Sequence, residues 1–510
     1  PPRIVKQGGR YALMVDDAPY LMLSAQVNNS SNWPAMLPKV WPAIAQLHAN
    51  TVEVPIAWQQ IEPREGEFDF SFLDTLLGQA RQQRVHLVLL WFATWKNNGP
   101  GYAPDWVKLN NQRFPRVINA KGVTRNSLSP NFPATLAADR KAFAALMRHL
   151  QAADIERTVL LIQVENETGT YGAVRDYSPT AQRQFEGQVP WEILEALGKM
   201  PGTWAQVFGK DADEFFHAYS IAHFVNQVAA AGKSAYAIPM YVNAALRDPF
   251  REQDPYDYSS GGPTWNVLEI WKTAAPSIDI VSPDIYLHDY RGYTRTLDLY
   301  GTPGNALFVP ETSNGQEGAR FFFEVLGRGG LGFAPFGMDF TGYVNYPLGA
   351  TKLDEETIEA FAFNYKLVEP MMREVAALGF AGKVWGAAEP AEAHIQHLVL
   401  GAGKDARWQV EVSYGREMFG DADPKGNPKL CGGVLIAELE PDEYLVTGYH
   451  VRVRFERTQS TRPFMLARVE EGHYERGKWI FERLWNGDQT DWGLNFTDLP
   501  QVLRVRLAEY

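Results

Sequence analysis

Two patterns in the chain predict its fold. Between residues 19 and 377, short apolar runs alternate with longer stretches at helical spacing. After Gly379, strands with period-2 alternation follow one another without intervening helices. The first pattern is that of βα units around a parallel sheet, and the second that of an antiparallel domain. The expected fold class is therefore α/β, with a (β/α)8 TIM barrel over residues 1–378 followed by a C-terminal antiparallel β-sandwich over 379–510. A chain of 510 residues agrees with this division, because one hydrophobic core stops growing well below that length.

The eight barrel strands are expected at 19–25, 51–57, 85–91, 158–165, 234–243, 278–286, 306–310 and 331–336. These runs are apolar with little alternation, as strands covered on both faces should be. Eight of them with interleaved helices suit a closed barrel better than an open doubly wound sheet. The first helical stripe is Phe72, Leu73, Leu76, Leu77 and Ala80, with Ser71 and Asp74 resembling an N-terminal capping pair. Phe143, Leu146, Met147 and Leu150 mark the next, then Phe215, Tyr219, Ala222 and Val225, then Val267, Ile270, Trp271 and Ala274. Phe322, Phe323 and Leu326 form another, and Ile358, Phe361, Tyr365 and Val368 the last. Each stripe reads as core packing. Gly327, Gly329 and Gly332 match G-x-G-x-x-G, but they follow a helix and precede a strand. A dinucleotide-binding loop has the opposite polarity, so a helix-to-strand loop is expected.

In the second domain the expected strands are 394–400, 408–414, 434–439, 444–455, 463–470 and 478–484. Loops rich in Gly, Asp and Pro separate them, as at 421–428. The domain holds no constellation that looks catalytic, and its expected role is to pack on the barrel and wall the cleft.

Composition excludes several function classes. Hydrophobic residues at 45% and charged residues at 21% are ordinary for a globular protein. No apolar run is long enough for a membrane span. A net charge of −12 without a basic block argues against a nucleic-acid partner, since phosphate binding needs clustered Lys and Arg. Cys431 stands alone, so neither an internal disulfide nor a Cys-based metal cluster forms. The ten histidines form no H-E-x-x-H motif; the closest pair, His394 and His397, lies in a strand-like stretch and reads as packing or surface. No metal and no cofactor is expected. The chain opens at Pro1 without Met or a signal segment, and a removed signal or a trimmed chain accounts for that equally. The reading favours an exported protein, periplasmic or secreted, with the cytoplasm left open. Oligomeric state is not encoded in any feature of the sequence.

Chemistry in such a barrel collects where strands end, at the C-terminal face. The run Leu160-Leu161-Ile162-Gln163-Val164-Glu165-Asn166-Glu167 leaves an apolar strand as two carboxylates flanking an amide, and Gly169 and Gly172 follow. A charged loop start is the competing reading. Ala306-Leu307-Phe308-Val309-Pro310-Glu311 delivers one more carboxylate straight after a buried strand. Glu167 ends the fourth strand and Glu311 the seventh, and barrel closure would bring both to one rim. Glycosidic cleavage needs such a pair: one carboxylic acid protonates the leaving oxygen, and a carboxylate meets the oxocarbenium-like centre from the other face. Asn166 is placed to hydrogen-bond the sugar 2-OH, a contact that strengthens in the transition state.

The Gln163-Val164-Glu165-Asn166-Glu167 motif resembles that of family-35 glycoside hydrolases, the β-galactosidases of clan A. So do Asn50-Thr51-Val52-Glu53, Trp58, and Glu62-Pro63-Arg64-Glu65-Gly66-Glu67-Phe68-Asp69-Phe70. The resemblance covers roughly residues 10–375. It implies Glu167 as acid/base, Asn166 as the holder of the 2-OH and Glu311 as the nucleophile of a retaining enzyme. Tyr286, ending the sixth strand, would donate to Glu311; a buried core tyrosine is the alternative. Two departures stand out: Pro55 replaces a usual Tyr, and Trp91-Phe92-Ala93-Thr94-Trp95-Lys96-Asn97-Asn98 replaces a Gly/Pro/Tyr-rich segment ending Ala-Glu-Trp. A glutamate expected to touch the galactose 4- and 6-hydroxyls is thus missing or replaced. The pattern is similar to a divergent bacterial branch that releases β-galactose from plant polysaccharide side chains such as xyloglucan.

Sugars stack their C–H faces on aromatic rings. Trp33, Trp58, Trp91, Trp95, Trp106 and Trp265 lie on or near expected strand ends or their loops. Trp58 and Trp91 read equally as caps of the barrel core; Trp95 and Trp265, in polar loops, point to substrate, as does Asn97. Asn166-Glu167-Thr168 is also a glycosylation sequon, but a glycan there would block the site. The expected activity is that of an exo-acting retaining β-galactosidase on an oligosaccharide or polysaccharide. The alternatives are the same mechanism on another β-hexose, β-xylose or α-L-arabinose, and a catalytically silent carbohydrate-binding protein.

Overall fold

The computed structural model describes residues 1–417 and 423–510. Eight strands, β1 (Met22–Gln26), β2 (Thr51–Ala57), β3 (His86–Lys96), β4 (Val159–Asn166), β5 (Met240–Ala244), β6 (Ile280–Ile285), β7 (Val309–Thr312) and β8 (Gly332–Pro335), close into a barrel in chain order. The pairs β2–β3, β3–β4, β4–β5, β5–β6, β7–β8 and β8–β1 are parallel. Every residue of β2 and β4 is buried, which is why these runs show no alternation in the sequence.

The chain forms two compact units, and the barrel strands are divided between them. One holds Pro1–Ile4, Gln26–Trp41 and Thr51–Ile285; the other holds Val5–Ala25, Pro42–Asn50 and Tyr286–Tyr510. In the first, helices Pro133–Ala153 and Ala212–Ala235 cross closely. A Cβ at Gly232 would lie 2.2 Å from the Phe143 ring, so only glycine permits this approach. Among the described residues no helix is long and apolar enough to cross a membrane.

Several boundaries differ from expectation. The segment 19–21 does not open the barrel: Ala18–Tyr20 pairs antiparallel with Arg10–Val15, and β1 starts at Met22. Arg373 fixes this hairpin by donating to the carbonyls of Val15, Ala18 and Pro19. Ser234 and Ala235 still belong to a helix, so β5 begins only at Met240. β3 runs five residues past its expected end at Trp91. At helix Ser71–Gln82 the capping role falls to Asp69, whose Oδ1 accepts from the Ser71 N–H at 2.9 Å; Asp74 instead meets His149 Nε2 at 2.6 Å. The Gly327–Gly332 stretch is the loop between helix Phe321–Gly327 and β8, as its polarity implied.

Among the described residues of the second unit, ten strands follow the barrel: β9 (Val384–Ala388), β10 (Ile395–Leu400), β11 (Trp408–Ser413), β12 (Gly433–Glu440), β13 (Glu443–Tyr449), β14 (Val451–Arg457), β15 (Phe464–Glu475), β16 (Lys478–Leu484), β17 (Leu494–Phe496) and β18 (Val502–Glu509). They form a six-stranded sheet in the order β9-β12-β13-β18-β15-β16 and a four-stranded sheet β10-β11-β14-β17. Val410, Val412 and Val453 from the second sheet and Val434, Ile436, Val446 and Val505 from the first share one buried cluster, which makes the pair a sandwich. The single strand expected over 444–455 is two, because His450 at φ +46° breaks it. Three strands, β9, β17 and β18, were not expected. In the loop expected at 421–428, Asp421 and Ala422 lie outside the described residues.

Candidate active site

Glu167 follows directly on β4, and the backbone there is strained. Glu165 sits at φ +65° and Glu167 at φ +44°, in left-handed space that side chains with a Cβ avoid at about 1–2 kcal/mol per residue. The surroundings enforce this shape. The Glu167 N–H donates to Asn243 Oδ1 at 3.1 Å, at the end of β5. Its carbonyl accepts from the backbone N–H of Asn98 at 3.3 Å and from Asn98 Nδ2 at 3.1 Å. Asn98, itself at φ +72°, is anchored by Ser259 Oγ at 2.7 Å and accepts from the Tyr171 N–H at 2.7 Å. Asn243 Nδ2 donates in turn to Asp284 Oδ2 at 2.7 Å, on β6. Three strand ends thus hold one carboxylate through its main chain.

Asn166 is fully buried. Its Oδ1 accepts from Lys96 Nζ at 3.3 Å, while its Nδ2 has no hydrogen-bond partner among the described residues. A buried donor left open costs about 1–3 kcal/mol, and a ligand hydroxyl beside it would recover that. The same burial leaves no room for a glycan on the sequon.

Glu165 carries a second buried carboxyl, which the sequence motif contained but gave no role. Its Oε2 accepts from the Trp95 N–H at 3.0 Å. Burial, and then the neighbouring Asp139, push it well above the usual carboxylate range, toward the neutral acid. Asp139 is held by Trp91 Nε1 at 2.9 Å and Thr94 Oγ1 at 2.5 Å. Asp139 lies in a helix whose apolar stripe was read as packing, so no pattern marked it.

In the second unit, Glu311 lies on β7 and is 7% exposed. Tyr286, the residue after β6, donates its hydroxyl to Glu311 Oε2 at 2.7 Å. The following residue, Thr312, is bonded through Oγ1 to the Tyr293 hydroxyl at 2.9 Å, and Tyr293 stacks on Phe321 at 3.9 Å. Asn314 Oδ1 accepts from the Ala350 N–H at 2.8 Å and ties the next loop to this strand end.

The tryptophans divide by burial. Trp58 is fully buried, donates to Glu62 Oε1 at 2.9 Å and packs on Trp91 and Trp106. Trp95 does not stand in a polar loop: it lies within β3, fully buried against Phe224. Trp265 is half-buried, its Nε1 donating to the Asp248 carbonyl at 2.8 Å and its face covered by Arg247 at 4.8 Å. Trp33 is 43% exposed and meets Phe72 edge-on. Asn97 is exposed and accepts from Lys96 Nζ at 2.8 Å. The third-strand segment that departs from the family pattern therefore brings a lysine, Lys96, to Asn166.

Known proteins resemble the chain in two blocks. Residues 32–215 match the family model of glycoside hydrolase 42, described as beta-galactosidase, and residues 361–497 match a domain of unknown function, DUF5597. The similarity is to glycoside hydrolases. The first block contains β2, β3 and β4 with Glu167 and ends before β5; the second covers most of the sandwich. The model that matches is that of family 42, where the motifs resembled family 35. A curated beta-galactosidase of Xanthomonas manihotis is 28% identical over 166 residues, which are 31% of this chain and 25% of that protein. The chain therefore spans a quarter of that relative's length. The solved beta-galactosidase of Bacillus circulans sp. alkalophilus superposes with a TM-score of 0.51 at 14% identity, over 71% of this chain and 57% of the other. That of the psychrophilic Marinomonas ef1 gives 0.52 at 12% identity, over 70% and 61%. These two share the fold.

Proposed function

We propose that the chain is a retaining exo-β-galactosidase that removes terminal β-linked galactose from plant-polysaccharide oligosaccharides, such as those of xyloglucan. The observation that carries this is the end of β4, where a strained Glu167 stands beside a buried Asn166 amide with an open donor. Strand ends of one polarity share a rim in a closed parallel barrel, and on that general ground the reading pairs Glu167 with Glu311 of β7. In this reading Glu311 attacks the anomeric carbon while Glu167 protonates the departing oxygen. Water, deprotonated by Glu167, then releases the sugar with its configuration kept. The Tyr286 hydroxyl, donating to Oε2, orients the carboxylate of Glu311 for attack. Asn166 Nδ2 donates to the oxygen of the 2-OH and holds the sugar in place beside the carboxylates.

Proton NMR of the first-formed product tests the mechanism: a β-anomer is expected, and an α-anomer means inversion. A panel of aryl glycosides tests the sugar. Preference for β-galactoside is expected, and preference for β-xyloside, α-L-arabinoside or another β-hexoside would reassign it.

A further inference from the structure

We infer that a trench in the second unit, running from the loops after β6 and β7 to the sandwich, binds the neutral polysaccharide backbone that bears the scissile sugar. This rests on the glycosidase reading. The trench consists of two adjoining cavities of about 330 Å³ and about 1100 Å³ that share Gln316 and Glu317 in their walls. The smaller reaches His288, two residues beyond Tyr286, and Ala350, which is bonded to Asn314 just after β7. The larger continues between helix Glu355–Val368 and the sandwich segments around Lys429 and Tyr449. The two adjoining cavities follow one another along the surface rather than forming one compact hollow. An extended ligand suits them better.

The chemistry of the walls selects the class. Tyr449 is half-buried and braced by Phe363 at 4.5 Å, which leaves a fixed aromatic surface for a sugar face. Glu317 and Asp498 offer exposed carboxylates that accept hydroxyl hydrogen bonds. The lysines and arginine of the walls are already engaged: Lys429 pairs with Glu356 at 2.8 Å, Lys352 with Asp354 at 3.1 Å, and buried Arg320 donates to the carbonyls of Glu389 and Glu317. A uronate or phosphate polymer would meet net repulsion there, whereas a neutral glycan would not. An exo-acting site that held only galactose would need no such extension.

Calorimetry on the full chain tests this with galactose-free backbones: degalactosylated xyloglucan heptasaccharide, cellopentaose and xylopentaose. At least one is expected to bind, with Kd raised about tenfold in Tyr449→Ala and severalfold in Asp498→Arg, a surface change that leaves the core intact. In parallel, kcat/KM for a galactosylated oligosaccharide should fall by the same factors, while an aryl β-galactoside is turned over within twofold of wild type. Failure of all three glycans to bind, unchanged affinity in both variants, or equal losses on both substrates overturns the trench. Binding that depends on Tyr449 in a protein inactive on every galactoside would instead sink the glycosidase reading and keep the trench.

Discussion

The ends of β4 and β7 each present a carboxylate, but by opposite means. At β4 the main chain is distorted at Glu165 and Glu167, and Asn98 and Asn243 grip the backbone of Glu167. At β7 the backbone of Glu311 carries no such strain, and a neighbouring hydroxyl grips the carboxylate itself. The difference matches the two tasks proposed. A group that gives and regains a proton in every cycle is best positioned without a fixed donor on its oxygens. A nucleophile that must stay anionic gains from a permanent one.

The strongest test of this division removes the nucleophile. Glu311→Ala should lower turnover of aryl β-galactosides by on the order of 10⁴-fold or more, and near-normal rates would remove Glu311 from the mechanism. Glu167→Gln should slow natural oligosaccharides by about 10²–10⁴-fold while sparing the first step on a dinitrophenyl galactoside. Equal losses on both would erase the contrast. Tyr286→Phe deletes one hydrogen bond to a charged group, about 1.5–3 kcal/mol, and should cost roughly 10–100-fold in kcat with an unchanged thermal melt. An unaltered kcat would make Tyr286 a packing residue.

The smallest effect concerns pH and Glu165. Its folded-state pKa is raised above the unfolded value of about 4.3. Its protonated form therefore contributes stability that is full below about pH 4 and is lost as pH rises through the folded value. Glu165→Gln stays neutral throughout. Relative to wild type, its unfolding free energy from urea titration should improve as pH rises above about 4, by at most ~1.4 kcal/mol per pH unit. Parallel pH curves would show that Glu165 is not held neutral.

The sequence showed the barrel because its strands are buried on both faces, so apolar residues dominate Thr51–Ala57 and run unbroken from Val159 to Ile162. It showed Glu167 because a rare pentapeptide closes one of those runs. It did not show Asp139, whose partners Trp91, Thr94 and Glu165 come from other strands. Trp95 looked exposed because Lys96, Asn97 and Asn98 follow it, yet the strand continues beneath that polar cluster. The hairpin at Ala18–Tyr20 was merged with β1 because only Leu21 separates them and both are apolar. β18 was missed although Val502, Val505 and Leu507 are buried, since Arg504 and Arg506 interrupt the run.

The left-handed backbone at Glu167 has a consequence for how this protein responds to selection for heat resistance. Glycine adopts φ +44° freely, so Glu167→Gly relieves the distortion at the end of β4 and should raise the melting temperature while removing the proposed proton donor. Robustness and turnover compete at this residue. A screen for thermostable variants that ignores activity is expected to accumulate glycine at position 167, and a library meant to keep the enzyme alive must hold that codon fixed.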